Sequence, residues 1–217
     1  MTQLSMEAKT QIKHTMPSDE STEKAKEKAI EINELSLDCH LSHATFACNV
    51  LLEKDRERLR TEMTKEIDEK IKVAKEEGNA RKLKGLLQQK KEKYDTCQKL
   101  RIYVDYLENT ICTAFTVCDR TKGMLVIWLP KKLLEESRKN GTYTDKVTEL
   151  RKLMAHELGH AILHTKELVE MEDFWGSRNL KKDSPEEHEA KVFAKNLLKL
   201  RHARNKKLIE DGTIDYF

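Results

Sequence analysis

Residues 144–164 read TDKVTELRKLMAHELGHAILH, and this stretch decides how the other elements must be arranged. At about 100° per residue in a helix, His156 and His160 project from one side, with Glu157 beside them. Five apolar side chains cluster on nearly the opposite side: Val147, Leu150, Met154, Leu158 and Ala161. We therefore predict a helix with one face for the core and one face for a metal ion.

Two histidines four residues apart, with a glutamate after the first, form the H-E-x-x-H pattern of zinc hydrolases. Neutral imidazole nitrogens bind Zn²⁺ at about 2.0 to 2.1 Å, and the glutamate accepts a proton from the attacking water instead of binding the metal. We predict zinc as the cofactor, His156 and His160 as ligands, and Glu157 as the catalytic base. Gly159 costs roughly 1 kcal/mol relative to alanine inside a helix, which indicates that a backbone or ligand approaches closely there.

A third zinc ligand must come from another element, because a catalytic zinc usually has three protein ligands. The metzincin continuation is excluded, since Leu163 and Lys166 stand where it has glycine and histidine. A carboxylate from the next helix is the better candidate.

That next helix begins with Ser184 as its N-cap and Pro185 at the first helical position. Glu187 is the leading candidate for the third ligand. The same glutamate lies three residues after the cap and is equally suited to bond back to Ser184 in a capping box. Glu189 and Glu186 therefore remain open as alternatives.

Two motifs resemble the ImmA/IrrE family of zinc metallopeptidases. The stretch HELGHAILH, from His156 to His164, matches the family's H-E-L-G-H-x-x-L-H, and residues 187–198 match its E-x-E-A-N-x-F-A-x-x-L-L at all but one position. The resemblance covers about residues 124–200 and not the N-terminal half. It implies a zincin-like, gluzincin-type domain with zinc bound by His156, His160 and Glu187 and with Glu157 as the base.

The one departure from the family pattern is Lys191, which stands where the family has asparagine. A hydrogen bond to a zinc ligand is therefore expected to be missing or replaced. Family members typically cleave DNA-binding repressors of mobile elements or stress genes, so the resemblance implies a helix-turn-helix repressor as the protein substrate. The main alternative is an inactive zinc-binding module that acts through a helical hairpin.

Residues for the rest of the reaction are less well marked. His164 lies one turn beyond His160, and we expect a supporting or surface role, with stabilisation of the oxyanion as the rival. Weaker oxyanion candidates are Tyr143, Tyr216 and His202. The strand Met124–Leu129 is expected to bind an extended substrate by edge pairing.

Composition favours a mostly helical α+β fold. Charged residues make up 36% of the 217 residues, and there are only 7 glycines and 3 prolines, which argues against an all-β fold. We predict four regions in chain order: a disordered leader (1–20), a charged helical region (21–109), a catalytic domain (110–203) and a tail (204–217).

The charged region is predicted to contain two antiparallel helices that divide at Gly78-Asn79. The first apolar stripe contains Leu52, Leu59, Met63, Ile67, Ile71 and Ala74, and the second contains Leu83, Leu87, Tyr94, Cys97, Arg101 and Val104. A β-hairpin is predicted around residues 119–123, with its second strand ending at Pro130. A short helix follows over residues 131–139, and the segment 170–183 is predicted to be a loop beside the site.

The balance of 41 basic and 38 acidic residues gives little attraction for nucleic acid or anionic membrane, so we expect no binding to either. A nucleic-acid-binding regulator that uses the basic stretches 81–84 and 90–93 is the remaining rival. Five cysteines without a C-x-x-C pair are typical of a reducing cytoplasm, and no run of about 18 apolar residues occurs. We therefore expect a cytoplasmic protein.

Overall fold

The computed structural model describes residues 18–36, 41–108, 113–139, 145–171, 177, 180 and 182–211. In chain order these residues form α1 (Asp19–Leu35), α2 (Leu41–Lys54), α3 (Arg56–Glu76), α4 (Ala80–Lys99), β1 (Arg101–Leu107), β2 (Phe115–Asp119), β3 (Met124–Pro130), α5 (Lys131–Lys139), α6 (Asp145–Leu163), α7 (Thr165–Glu170) and α8 (Pro185–Glu210). The described part is mostly helical with one small mixed sheet, which confirms the α+β class.

The sheet has the order β1-β3-β2, with β1 parallel and β2 antiparallel to β3. The predicted hairpin is therefore confirmed as β2 and β3, and β3 ends at Pro130 as expected. Gly123 makes the turn with a φ of 66° and lies so close to Lys99 that a Cβ would be 2.6 Å from the Lys99 Cβ. Because β3 pairs on both sides, the prediction that it binds substrate at its edge is wrong.

Strand β1 occupies residues that the helical pattern had assigned to a helix. Helix α4 ends at Lys99, and Arg101 and Val104 belong to the strand, so that part of the second stripe is wrong. The strand pairs in parallel with β3, a contact distant in sequence that no local pattern reveals. Asn49 of α2 reinforces it, because its side chain accepts from Ile102 N at 2.7 Å and donates to Ile102 O at 3.0 Å.

The antiparallel pair α3 and α4 confirms the predicted helical hairpin. Gly78 between them has a φ of 64°, the left-handed conformation expected at that turn. On α3 the buried stripe contains Leu59, Met63, Ile67, Ile71 and Ala74, as predicted. On α4 the predicted Leu83 packs against this stripe and Cys97 is buried, but Leu87 is 50% exposed and its neighbour Leu86, 9% exposed, is buried in its place.

One core joins the N-terminal helices to the helices that carry the two motifs. Ile32 of α1 and Leu51 of α2 lie in the same buried cluster as Leu158 of α6 and Phe193 of α8. Arg204 of α8 also donates to the carbonyl oxygens of Asn33 and Ser36, at 2.9 and 2.7 Å. Helices α1 and α2 therefore fix the position of α8 relative to α6.

Two predicted region limits fall inside helices. Helix α1 begins at Asp19, before the expected end of the leader at residue 20, and α8 continues to Glu210, beyond the expected boundary at residue 203. The rest of the leader, residues 1–17, and the end of the tail, residues 212–217, lie outside the described residues. Among the described helices, none combines the length and the apolarity that crossing a membrane requires.

Candidate metal centre

Helices α6 and α8 bring two imidazoles and one carboxylate to a single point. His156 Nε2 lies 3.1 Å from His160 Nε2, and Glu187 Oε1 lies 3.2 Å from His160 Nε2. The second oxygen of Glu187 lies 3.5 Å from His156 Nε2. Each pair of these three residues is therefore in contact, and together they form a group of potential metal ligands.

The spacing of these atoms fits a tetrahedral zinc ion. Ligand atoms about 2.05 Å from a zinc at the centre of a tetrahedron are about 3.3 Å from one another. The two ring nitrogens lie 3.1 Å apart and Glu187 Oε1 lies 3.2 Å from His160 Nε2, both close to that value, whereas the 3.5 Å contact of His156 Nε2 is with the other carboxylate oxygen, Oε2. Two imidazole nitrogens and one carboxylate oxygen are also a ligand set typical of a catalytic zinc, which leaves a fourth position open.

The Glu187 side chain lies with the histidines and does not bond back to Ser184 in a capping box. The Glu187 backbone N–H donates to the Ser184 Oγ at 3.2 Å, so Ser184 caps α8 as predicted. Its carboxylate, however, points to the histidines. Partial burial alone would raise the pKa of Glu187, but hydrogen bonds and charge from His156 and His160 in their protonated form outweigh burial and hold the pKa well below its usual range.

The two alternative carboxylates lie outside this group. Within the described residues, the three-residue group comprises His156, His160 and Glu187, without Glu186 or Glu189. Glu189 instead has its Oε2 atom 3.2 Å from His164 Nε2. The geometry therefore singles out Glu187 as the carboxylate that shares a site with the two imidazoles.

Lys191, which stands where the similar motif has asparagine, makes a charged contact with Glu187. Its Nζ lies 3.6 Å from Glu187 Oε2 and donates to Lys182 O at 3.0 Å. The lysine side chain is 56% exposed, so the ion pair is weakened by solvent. The ammonium group adds positive charge beside the Glu187 carboxylate, where an amide would only have donated a hydrogen bond.

Glu157 is buried next to this group, with 4% of its surface exposed. Its Oε2 accepts from Thr116 Oγ1 at 2.8 Å and from Ser177 Oγ at 3.0 Å. Ser177 Oγ in turn accepts from the Thr116 backbone N–H at 2.7 Å. These bonds fix the orientation of the carboxylate and occupy only one of its two oxygens.

Neither Thr116 nor Ser177 was among the predicted site residues. Thr116 is fully buried on β2 between Phe115 and Val117, and a lone hydroxyl in an apolar strand is the only local signal it offers. Ser177 belongs to the segment predicted to border the site, and its contact with Glu157 agrees with that position. Just before this segment the structure has α7 (Thr165–Glu170), a short helix that the sequence did not reveal.

His164 lies behind His160 and away from the ligand atoms. Its Nδ1 is 3.2 Å from His160 Nδ1, whereas Glu187 approaches the opposite ring nitrogen of His160. Burial first, and then the neighbouring His160, lower the pKa of His164, although Glu189 opposes them. This position fits the expected supporting role and not stabilisation of an oxyanion.

The weaker oxyanion candidates do not join the site within the described residues. His202 lies fifteen residues after Glu187 on the same helix, a separation of about 22 Å along its axis at 1.5 Å per residue. It is therefore too distant. Tyr143 and Tyr216 lie outside the described residues.

Gly159 explains how the two helices approach closely enough to share a site. A Cβ at this position would lie 3.0 Å from Phe193 Cδ1 and 3.1 Å from Ala190 Cα. The predicted close approach of a backbone is thus confirmed, and the backbone is that of α8. His160, the next residue of α6, is completely buried.

Searches of protein-family models, curated proteins and solved structures gave no match to this chain.

Proposed function

We propose that this protein is a zinc-dependent metallopeptidase of the gluzincin type, with a zincin-like catalytic fold, that hydrolyses a peptide bond in a protein substrate. The observation that carries the proposal is the convergence of His156, His160 and Glu187, whose nearest nitrogen and oxygen atoms lie 3.1 to 3.5 Å apart, close enough to share one tetrahedral zinc. The buried Glu157 next to His156 supports a catalytic rather than a structural site, because a purely structural zinc needs no base.

In the proposed reaction, Glu157 moves the proton. Its Oε2 is held by Thr116 and Ser177, so Oε1 is the oxygen that accepts the proton from the attacking water. Glu157 then donates the same proton to the leaving amine. When bound, zinc would polarise the peptide carbonyl and make water nucleophilic at neutral pH.

The sheet offers an extended peptide a different edge from the one first expected. Strand β2 lies at an edge, and its Thr116 touches Glu157. Side chains already bond to both edges, because Asn49 bonds the N–H and the C=O of Ile102 in β1, and Ser177 accepts from the backbone N–H of Thr116 in β2. We propose that substrate pairs with β2, where backbone hydrogen bonds hold a peptide in extended form. By the motif resemblance, that substrate is a helix-turn-helix repressor of a mobile element or stress response.

The surface charges support a protein rather than a nucleic-acid partner. In the two basic stretches, Lys82 pairs with Glu77 at 3.2 Å and Lys90 pairs with Asp68 at 2.5 Å. Lys93 is occupied by Glu170 of α7 at 2.7 Å. These pairs leave less free positive charge for phosphates. The unpaired thiols of Cys48, Cys97 and Cys118 support a reducing, cytoplasmic location.

Metal analysis of the purified protein tests the zinc site. We expect one zinc per chain, and we expect His156→Ala and Glu187→Ala to lose it, because each removes a ligand. Glu186→Gln is a matched control on the same turn of α8 and should retain zinc. Stoichiometric zinc in both ligand variants would contradict the site.

Glu157→Gln separates the enzyme from the inactive binding module. The variant should retain zinc and lose peptide hydrolysis by at least about 100-fold, since the general base is removed. Cleavage is measured by mass spectrometry after incubation with a helix-turn-helix repressor encoded in the same genome. Cleavage by the Gln variant at the wild-type rate would refute the role of Glu157. A wild-type protein that binds zinc and this repressor without cleaving it would favour the binding module.

A further inference from the structure

A line of three side chains extends from His160 on the side opposite the metal ligands. His160 Nδ1 lies 3.2 Å from His164 Nδ1, and His164 Nε2 lies 3.2 Å from Glu189 Oε2. The side chains of His160, His164 and Glu189 are 0, 6 and 18% exposed. Since buried polar atoms need partners, these contacts decide where the ring protons lie.

The direction of the hydrogen bonds follows from the carboxylate at the far end. An ionised Glu189 can only accept, so His164 carries its proton on Nε2 and donates it to Glu189. A neutral His164 then has its lone pair on Nδ1 and accepts from His160 Nδ1. A neutral His160 that donates from Nδ1 keeps its lone pair on Nε2.

The opposite direction is incompatible with metal binding. It would put a proton on His160 Nε2, the atom that lies 3.1 Å from His156 Nε2 and 3.2 Å from Glu187 Oε1. That proton would occupy the lone pair that a metal ion requires. It would also require Glu189 to donate, which an ionised carboxylate does not do.

We propose that Glu189 and His164 are positioning residues that hold His160 in the tautomer with its lone pair on Nε2. The inference rests on the zinc site of the proposed function and deepens it. A metal-binding histidine commonly donates its other ring N–H to a carboxylate or carbonyl. Here the imidazole of His164 stands between His160 and the carboxylate of Glu189, so Glu189 orients His160 through His164 and not by direct contact.

The test uses Glu189→Gln in the full-length chain, with Glu186→Gln as the matched control. A glutamine can either donate or accept, so it no longer imposes one direction on His164. We expect Glu189→Gln to bind zinc roughly 10- to 100-fold more weakly in competition with a chelator, as for other partners of ligating histidines. The control should bind zinc like the wild type, and thermal unfolding checks that both variants are folded.

A second readout needs no zinc. Long-range ¹H–¹⁵N correlation spectra of the ¹⁵N-histidine-labelled protein, recorded with a chelator at a pH where the rings are neutral, report which ring nitrogen carries each proton. In the wild type we expect His160 protonated on Nδ1 and His164 on Nε2, and we expect a mixture of tautomers in Glu189→Gln. His160 protonated on Nε2 in the wild type, or unchanged tautomers and zinc affinity in Glu189→Gln, would overturn the proposal.

These results are separable from failure of the proposed function. A wild type with the expected tautomers that binds no zinc would refute the metallopeptidase and support the hydrogen-bond direction. A wild type that binds zinc with His160 in the other tautomer before binding would refute the positioning role and leave the zinc site standing.

Discussion

Gly159→Ala tests whether close packing of α6 on α8 sets the geometry of the metal centre. The added Cβ would lie 3.0 Å from Phe193 Cδ1, 3.1 Å from Ala190 Cα and 3.2 Å from Ala190 O. Carbon atoms in ordinary contact are about 3.5 to 4.0 Å apart, so α8 must move outward by several tenths of an ångström. Two of the three obstructing atoms belong to the backbone of α8 and cannot rotate away.

Two opposing effects determine the change in stability. Alanine gains about 1 kcal/mol over glycine in a helix interior, whereas overpacking a core typically costs ~1 to 3 kcal/mol. We therefore expect the free energy of unfolding of the metal-free protein to fall by up to about 2 kcal/mol. Zinc affinity should fall about tenfold, because Glu187 lies one turn from Ala190 and moves with it; this loss equals about 1.4 kcal/mol.

The matched control is Gly85→Ala in α4. No atom lies within 4 Å of a Cβ at Gly85, so this variant should gain about 1 kcal/mol in stability and keep its zinc affinity. Urea unfolding with a chelator present measures stability, and competition with a chromophoric chelator measures zinc affinity. If Gly159→Ala gains as much stability as Gly85→Ala and binds zinc equally well, the packing argument is refuted.

Three further predictions concern the base, the hairpin and pH. Thr116→Val removes a hydroxyl that orients Glu157 and should lower the rate of peptide hydrolysis roughly 10-fold with zinc retained. The control Thr61→Val, on the exposed face of α3, should change neither the rate nor the zinc content, and an unchanged rate in Thr116→Val would contradict the role of Thr116. Leu86→Ala should lower the free energy of unfolding in urea by about 2 kcal/mol or more, and Leu87→Ala by less than about 0.5 kcal/mol. Equal losses in the two variants would refute the assignment of Leu86 to the contact between α3 and α4. Burial lowers the pKa of His164, so as pH falls the unfolded chain takes up a proton that the folded chain resists. Urea unfolding of the metal-free protein should therefore show a loss of stability as pH falls below about 6.5. A rise in stability over that range would contradict the lowered pKa.

The parts of this fold that the sequence predicted are those whose signal is local. The turn at Gly78 and the buried stripe Leu59 to Ala74 follow from spacing within one segment. Strand β1 was missed because its pairing with β3 is parallel and distant in sequence, and the helical period of α4 continued by chance through Arg101 and Val104. Leu86 and Leu87 are equally apolar, so only the partner helix decides which one is buried.

The same distinction explains the residues around Glu157. His156, Glu157 and His160 share one helix, so their geometry is contained in their spacing. Thr116 and Ser177 reach Glu157 from 41 and 20 residues away, by bonds of 2.8 and 3.0 Å that no spacing rule predicts. A hydroxyl in a strand or loop is common, and only its contact with a buried carboxylate marks it as part of a site.

The third ligand shows how a local signal and a tertiary contact can be combined. From the residues alone, Glu187 was equally suited to a capping box and to metal binding. In the folded chain its backbone N–H donates to Ser184 Oγ, and its carboxylate contacts His160. What makes the second contact feasible is the pair of small residues Gly159 and Ala190, whose helices meet at a distance that would exclude a Cβ. The sequence predicted a close approach at Gly159 but not the partner. The spacing of the histidines therefore sets which face of α6 would bind a metal, and the Gly159–Ala190 contact sets how far Glu187 must reach to join it.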